Sequence, residues 1–187
     1  MKRVLRESRV VLLLVCFFLV GAVSAQAQAP AQTAPTTPIG DLVSNWNDIG
    51  RKLVAMAEDF PEDKYDWKPS PEVRSFSEQL LHAAGYAVFV EAVSRGLHPR
   101  EEDPKRSNFK SKAEIAAFVK KAYADGAKAI EAGGVEKLMQ TVQVGSYTVT
   151  FLGLWDGAIE HSGEHYGQLV VYYRVNKIVP PESRPRK

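Results

Sequence analysis

The sequence predicts an all-α protein, a four-helix bundle with one long crossover connection. Three observations carry this. Four segments of the 187-residue chain repeat apolar side chains every three or four residues. Ser–Glu pairs at capping spacing open two of them. The polar stretch 97–110, with Pro99 and Pro104, is too long for a simple helical hairpin and suits a crossover.

Residues 1–25 read as a secretory signal peptide. Lys2, Arg3, Arg6 and Arg9 make a basic start, Val10 to Val20 is unbroken apolar, and Val23-Ser24-Ala25 is a small-residue cleavage site. The absence of an Arg-Arg pair favours the general export route. Export to the periplasm or the medium is expected, with no stable membrane anchor after cleavage. Cys16 would leave with the peptide, so the mature chain has no cysteine and no disulfide. Cleavage removes four basic residues and one acid, leaving 20 basic against 21 acidic side chains, a formal charge of −1. That balance offers no basic field for nucleic acid. Residues 26–40, rich in Ala, Gln, Thr and Pro, read as a disordered linker. The rest, 41–187, suits one domain with one core.

The first helix is expected near 41–58, with Leu42, Trp46, Ile49, Leu53 and Met56 on one face and Asp41 as N-cap. Phe60 to Pro71 carries three prolines and breaks the pattern, with Trp67 placed to plug one end of the core. The second helix opens on the capping box Ser75-Phe76-Ser77-Glu78. Its broad face carries Leu81, His82, Gly85, Phe89 and Val93, and Gly96 ends it. The third opens on Ser111-Lys112-Ala113-Glu114. It runs through Ile115, Phe118, Val119, Ala122, Ala129 and Ile130 to a stop at Gly133-Gly134. Thr141 to Thr150 holds β-formers around Gly145-Ser146, consistent with a short hairpin or an irregular loop. The fourth helix covers 151–176. Trp155, Ala158, Ser162, His165, Leu169 and Tyr172 share a face, with His161 and Gln168 at its margin. The Pro-rich tail from Pro180 is expected to be extended.

The chemistry concentrates in three histidines. His161 and His165 are four residues apart, so on a helix they stand one above the other, ~6 Å apart along the axis. His82 lies on the apolar face of another helix. A buried imidazole without a partner costs ~1–3 kcal/mol, so such a pair is hydrogen-bonded, metal-bound or faces a wet cleft. Two ligands from one helix and one from another is a common way to hold an ion in a bundle. His98, beside Pro99 in the polar connection, reads as solvent-exposed.

His161-Ser162-Gly163-Glu164-His165 also fits the inverted zinc-protease pattern, with Glu164 as base. That pattern needs a further acidic ligand far downstream. Only 22 residues follow His165, and their one acid, Glu182, lies among prolines.

Three stretches in order carry a family likeness: Phe60-Pro61-Glu62 through Trp67-Lys68-Pro69; Arg74-Ser75-Phe76-Ser77-Glu78-Gln79-Leu80-Leu81-His82; and His161 to Leu169, then Tyr172-Tyr173-Arg174 and Val179-Pro180-Pro181. In these the chain resembles the DinB-like (DinB/YfiT-like) superfamily of four-helix-bundle metalloproteins over essentially all of 41–182. The resemblance implies that His82, His161 and His165 bind a divalent metal, typically nickel or zinc. It also implies a bundle that is often a homodimer, and activities including thiol-dependent transfer and hydrolysis. The chain departs from the family at Tyr166, where Arg is frequent, at Glu164, where His is frequent, and at Asn176-Lys177, where Gly is common.

Three neutral imidazoles would leave the ion positive, with an open position to activate water or a substrate thiolate. Glu78, one turn before His82, and Glu164 are the candidate proton-transfer residues, and Tyr86 and Tyr166 the candidate mouth. Cytoplasmic thiols are less available outside the cytoplasm, so export shifts the expectation from thiol transfer toward hydrolysis or an unknown role, with the small-molecule substrate of either a hydrolase or a transferase unknown. The competing reading is a non-catalytic bundle that binds metal or a small ligand.

Overall fold

The computed structural model describes residues 36–185. The signal-peptide reading, and the linker reading as far as residue 35, lie outside the described residues. Four helices make up the domain: α1 (Pro38–Asp59), α2 (Phe76–Ser94), α3 (Lys112–Leu138) and α4 (Phe151–Val175). A two-stranded hairpin, β1 (Thr141–Val144) and β2 (Tyr147–Thr150), joins the last two.

The first helix starts earlier than the sequence predicts. Thr37, in extended conformation, is the N-cap, and its hydroxyl accepts from the Gly40 N–H at 3.0 Å. Pro38 sits at the first helical position, where its missing N–H costs nothing and its φ is preset. The last three residues assigned to the linker therefore belong to α1, and Asp41 lies in the first turn rather than at the cap. The Ser75–Glu78 box forms in full. At α3 only half of the box forms: Ser111 accepts from Glu114 N–H, while Glu114 reaches past the cap to Lys110 N–H at 2.7 Å. Gly134 does not end α3. It takes φ 68°, ψ 175°, a left-handed kink that glycine adopts cheaply, and helix resumes to Leu138. The Thr141–Thr150 segment is a hairpin, with Val142 paired to Val149 and Gly145 turning at φ 57°.

Contacts at the two ends give the helix directions. Phe60, just past α1, stacks on Phe76 at the start of α2, with centroids 3.8 Å apart, and meets Tyr173 near the end of α4 edge-on. Lys112, opening α3, donates to the carbonyl of Phe60 at 2.6 Å. At the opposite end Lys137 of α3 donates to the carbonyl of Ser94 and lies over the ring of Phe151, which opens α4. So α1 and α4 run one way, α2 and α3 the other. α1 packs on α3 and α4, and so does α2. Because α2 and α3 are parallel neighbours, residues 95–111 must travel back along α2, roughly 28 Å at 1.5 Å per residue. This is the crossover that the sequence predicts.

The core is aromatic. Trp46 is fully buried, donates Nε1–H to the carbonyl of Tyr123 at 2.7 Å and meets Trp155 edge-on. Trp67 closes one end against Tyr172, as expected. The tail folds back instead of staying extended. Residues Pro181–Ser183 make a single 3-10 turn, Arg184 forks onto Asp59 at 2.6 and 2.7 Å, and Glu182 pairs with Arg51 at 2.6 Å. Among the described residues no helix is long and apolar enough to cross a membrane.

Candidate metal centre

The antiparallel packing of α2 on α4 brings the three predicted histidines together. His82 projects from the second turn of α2, His161 and His165 from the middle of α4. The Nε2 atoms of His82 and His161 are 3.2 Å apart, and those of His161 and His165 are 3.1 Å apart. One nitrogen from each ring falls within a group no wider than 4.8 Å.

The electrostatics hold two of the three rings, His161 and His165, neutral. Burial, then the neighbouring His82, pushes the His161 imidazole below its ordinary range. Burial, then His161 and His82, brings His165 down to about 4. Neutral imidazole is the form that ligates metal. His161 Nε2 faces two other ring nitrogens, and with one N–H or one lone pair it cannot pair well with both. An ion about 2.0–2.1 Å from each of three tetrahedrally arranged nitrogens would set those nitrogens about 3.3–3.4 Å apart. The two Nε2 spacings that His161 makes are close to that, and an all-imidazole donor set suits a divalent transition metal.

The outer nitrogens are treated unequally. His82 Nδ1 lies 2.6 Å from Asp103 Oδ1. His165 Nδ1 meets the side-chain amide of Gln79, which in turn bonds Gln168. His161 Nδ1 is buried without a hydrogen-bond partner, while the Tyr86 ring lies against that imidazole at 4.3 Å between centroids. Burial of Asp103 raises its carboxyl, but the hydrogen bond with His82 and the nearby Arg74 guanidinium outweigh this and leave it lowered and ionised.

A sequence model of the DinB superfamily matches residues 46–169, which spans all three histidines. The chain belongs to the DinB superfamily. A crystal structure of a DinB-like protein from Bacillus subtilis superposes with a TM-score of 0.64 at 21% identity, over 79% of this chain and 99% of that one. A DinB-like protein from Bacillus cereus gives 0.62 at 15% identity, over 75% and 93%. At these identities the likeness establishes the bundle fold. No curated protein matches the chain.

Within this DinB-superfamily bundle the other predicted site residues fall apart. Glu78 is taken up by its capping box and by Lys68 at 3.1 Å. Glu164 is exposed, one position round the helix from His165. Tyr166 sits under Lys52 of α1, because one residue past His165 turns it ~100° away from the cluster. Tyr86 alone of these four touches the cluster. The structure adds two residues to the cluster, Asp103 and Gln79. Gln79 had a readable signal, a polar side chain three residues before His82 and so on the same helix face. Asp103 had none, as one of three consecutive acids in a connection without periodicity.

Proposed function

We propose that this DinB-superfamily protein binds one divalent ion, nickel or zinc, through Nε2 of His82, His161 and His165, and acts with it on a small molecule as a hydrolase or transferase. The convergence of three imidazole nitrogens, with His161 Nε2 3.2 Å from His82 Nε2 and 3.1 Å from His165 Nε2, supports this most directly. A bound ion would supply Lewis acidity at neutral pH. The chain's own contribution is to hold the rings: Asp103 and Gln79 orient His82 and His165, and Tyr86 walls His161. The basic start and apolar run of residues 1–25 support an exported protein, which favours hydrolysis over transfer to a cytoplasmic thiol. Homodimer formation is the further expectation carried by the resemblance.

One observation favours a second reading, a non-catalytic metal-binding module. Neither Glu78 nor Glu164 hydrogen-bonds any of the three histidines, and among the described residues the one carboxylate that does, Asp103, is engaged with His82 and Arg74. Elemental analysis of mature untagged protein tests the shared claim: about one equivalent of metal in the wild type, and its loss in His161→Ala and His165→Ala. Stoichiometric metal in the double alanine variant would place the site elsewhere. Turnover of ester, amide or phosphoester probes by the loaded protein, absent from the alanine variants, separates enzyme from module.

A further inference from the structure

The crossover connection does more than return the chain to the start of α3. It passes directly over His82 and delivers Asp103 there. Asp103 Oδ1 lies 2.6 Å from His82 Nδ1, and its Oδ2 lies 3.3 Å from Arg74 Nη2. An ionised carboxylate only accepts hydrogen bonds, so the proton of a neutral His82 must sit on Nδ1. That leaves Nε2 bare, and Nε2 is the atom 3.2 Å from His161. The height of the connection is set next door. Pro104 packs onto Gly85, three residues after His82, where an added Cβ would stand 2.5 Å from Pro104 Cδ. Any side chain at 85 would lift the connection from α2.

We propose that Asp103 is a positioning residue for the metal centre: seated by Pro104 on Gly85, it fixes the Nδ1–H tautomer of His82 and aims the bare Nε2 into the cluster. The inference rests on reading the three histidines as ligands, and its test separates the two. A ligating histidine whose outer N–H is held by a carboxylate keeps its ring orientation and gains basicity, and removing the partner typically costs 10–100-fold in metal affinity.

Long-range 1H–15N NMR on metal-free, histidine-labelled protein reads the tautomer of His82 directly. The Nδ1–H form is expected to predominate in the wild type. It should give way to Nε2–H, the form free imidazole side chains favour, in Asp103→Ala. Gly85→Ala keeps the carboxylate but displaces the connection, and should shift the tautomer in the same direction. Chelator competition with Zn2+ should show binding about 10–100-fold weaker in Asp103→Ala, and an intermediate loss in Asp103→Asn, which retains an acceptor oxygen. Far-UV circular dichroism verifies that the helices persist. An unchanged His82 tautomer in Asp103→Ala overturns the positioning role, and an unchanged one in Gly85→Ala overturns the seating by Pro104. If the tautomer shifts while the wild type takes up no Zn2+, the control of His82 stands and the metal reading fails.

Discussion

Ser162, between the two histidines of α4, shares a hydrogen bond with the buried hydroxyl of Tyr123 on α3 at 2.8 Å. The Ser162 hydroxyl also donates to the carbonyl of Ala158 at 2.7 Å, so the proton between the two side chains belongs to Tyr123. The bond fixes the rotation of α4 about its axis. With Ser162 turned to α3, His161 and His165 are turned to α2.

That proton assignment predicts an asymmetry. Tyr123→Phe removes one net hydrogen bond and leaves Ser162 satisfied by Ala158, a loss of about 0.5–1.5 kcal/mol. Ser162→Ala strands the Tyr123 hydroxyl in the core and costs more, about 1–3 kcal/mol. Urea unfolding of the two variants measures the order. Equal losses, or a larger loss in Tyr123→Phe, would show the proton to be Ser162's.

Metal should stabilise the fold by mass action. At free ion a hundredfold above Kd the gain is about 2.7 kcal/mol. Differential scanning calorimetry should show Tm rising with added Zn2+ or Ni2+, and falling after chelation. In His165→Ala the midpoint should not respond.

The metal-free protein should lose stability in mild acid. His165 is held at about 4 in the fold, against an ordinary 6.5. Above 6.5 it is neutral in both folded and unfolded chains and costs nothing. As pH falls from 6.5 toward 4 the unfolded chain takes up a proton that the folded one refuses. One such group lowers stability by at most ~1.4 kcal/mol per pH unit across that window. Unfolding free energies measured at several pH values should slope downward there, and His165→Gln should flatten the slope.

The folded tail carries a separate acid sensitivity. Asp59 is held below the usual carboxylate range, chiefly by its hydrogen bonds from Arg184, with burial opposing. A lowered carboxyl contributes stability that is present above its unfolded value, near 4, and lost as pH falls through the folded one. Arg184 is half-exposed, so Arg184→Ala should cost only about 0.2–1 kcal/mol at neutral pH. The loss should vanish in strong acid. A cost that persists there would mean packing, not charge, holds the tail.

Most of the bundle was legible in the chain because helices are local. Spacings of three and four placed Leu42, Trp46, Ile49, Leu53 and Met56 on one buried stripe, and all five are buried. The Ser75–Glu78 box and Gly96 bounded α2 correctly. The errors fell where one residue competes between states. Pro38 ends a Pro-rich run yet suits the first turn of a helix, and Gly134 reads as a stop yet can kink a helix that resumes. The hairpin needed its partner strand before β-propensity could be told from loop.

Local sequence specifies the parts: four amphipathic helices, a connection long enough to cross over, and a histidine pair on one helix face. Each follows from neighbours within a turn or two of chain. Tertiary structure decided which parts meet. His82 reaches His161 across 79 residues and Gln79 reaches His165 across 86. Asp103, rather than Glu101 or Glu102, reaches His82 because Pro104 seats on Gly85 at that height. Glu78 and Tyr166, equally well spaced on paper, are claimed by a helix cap and by Lys52. Those outcomes depend on helix rotation and on the path of an aperiodic connection, and local periodicity encodes neither.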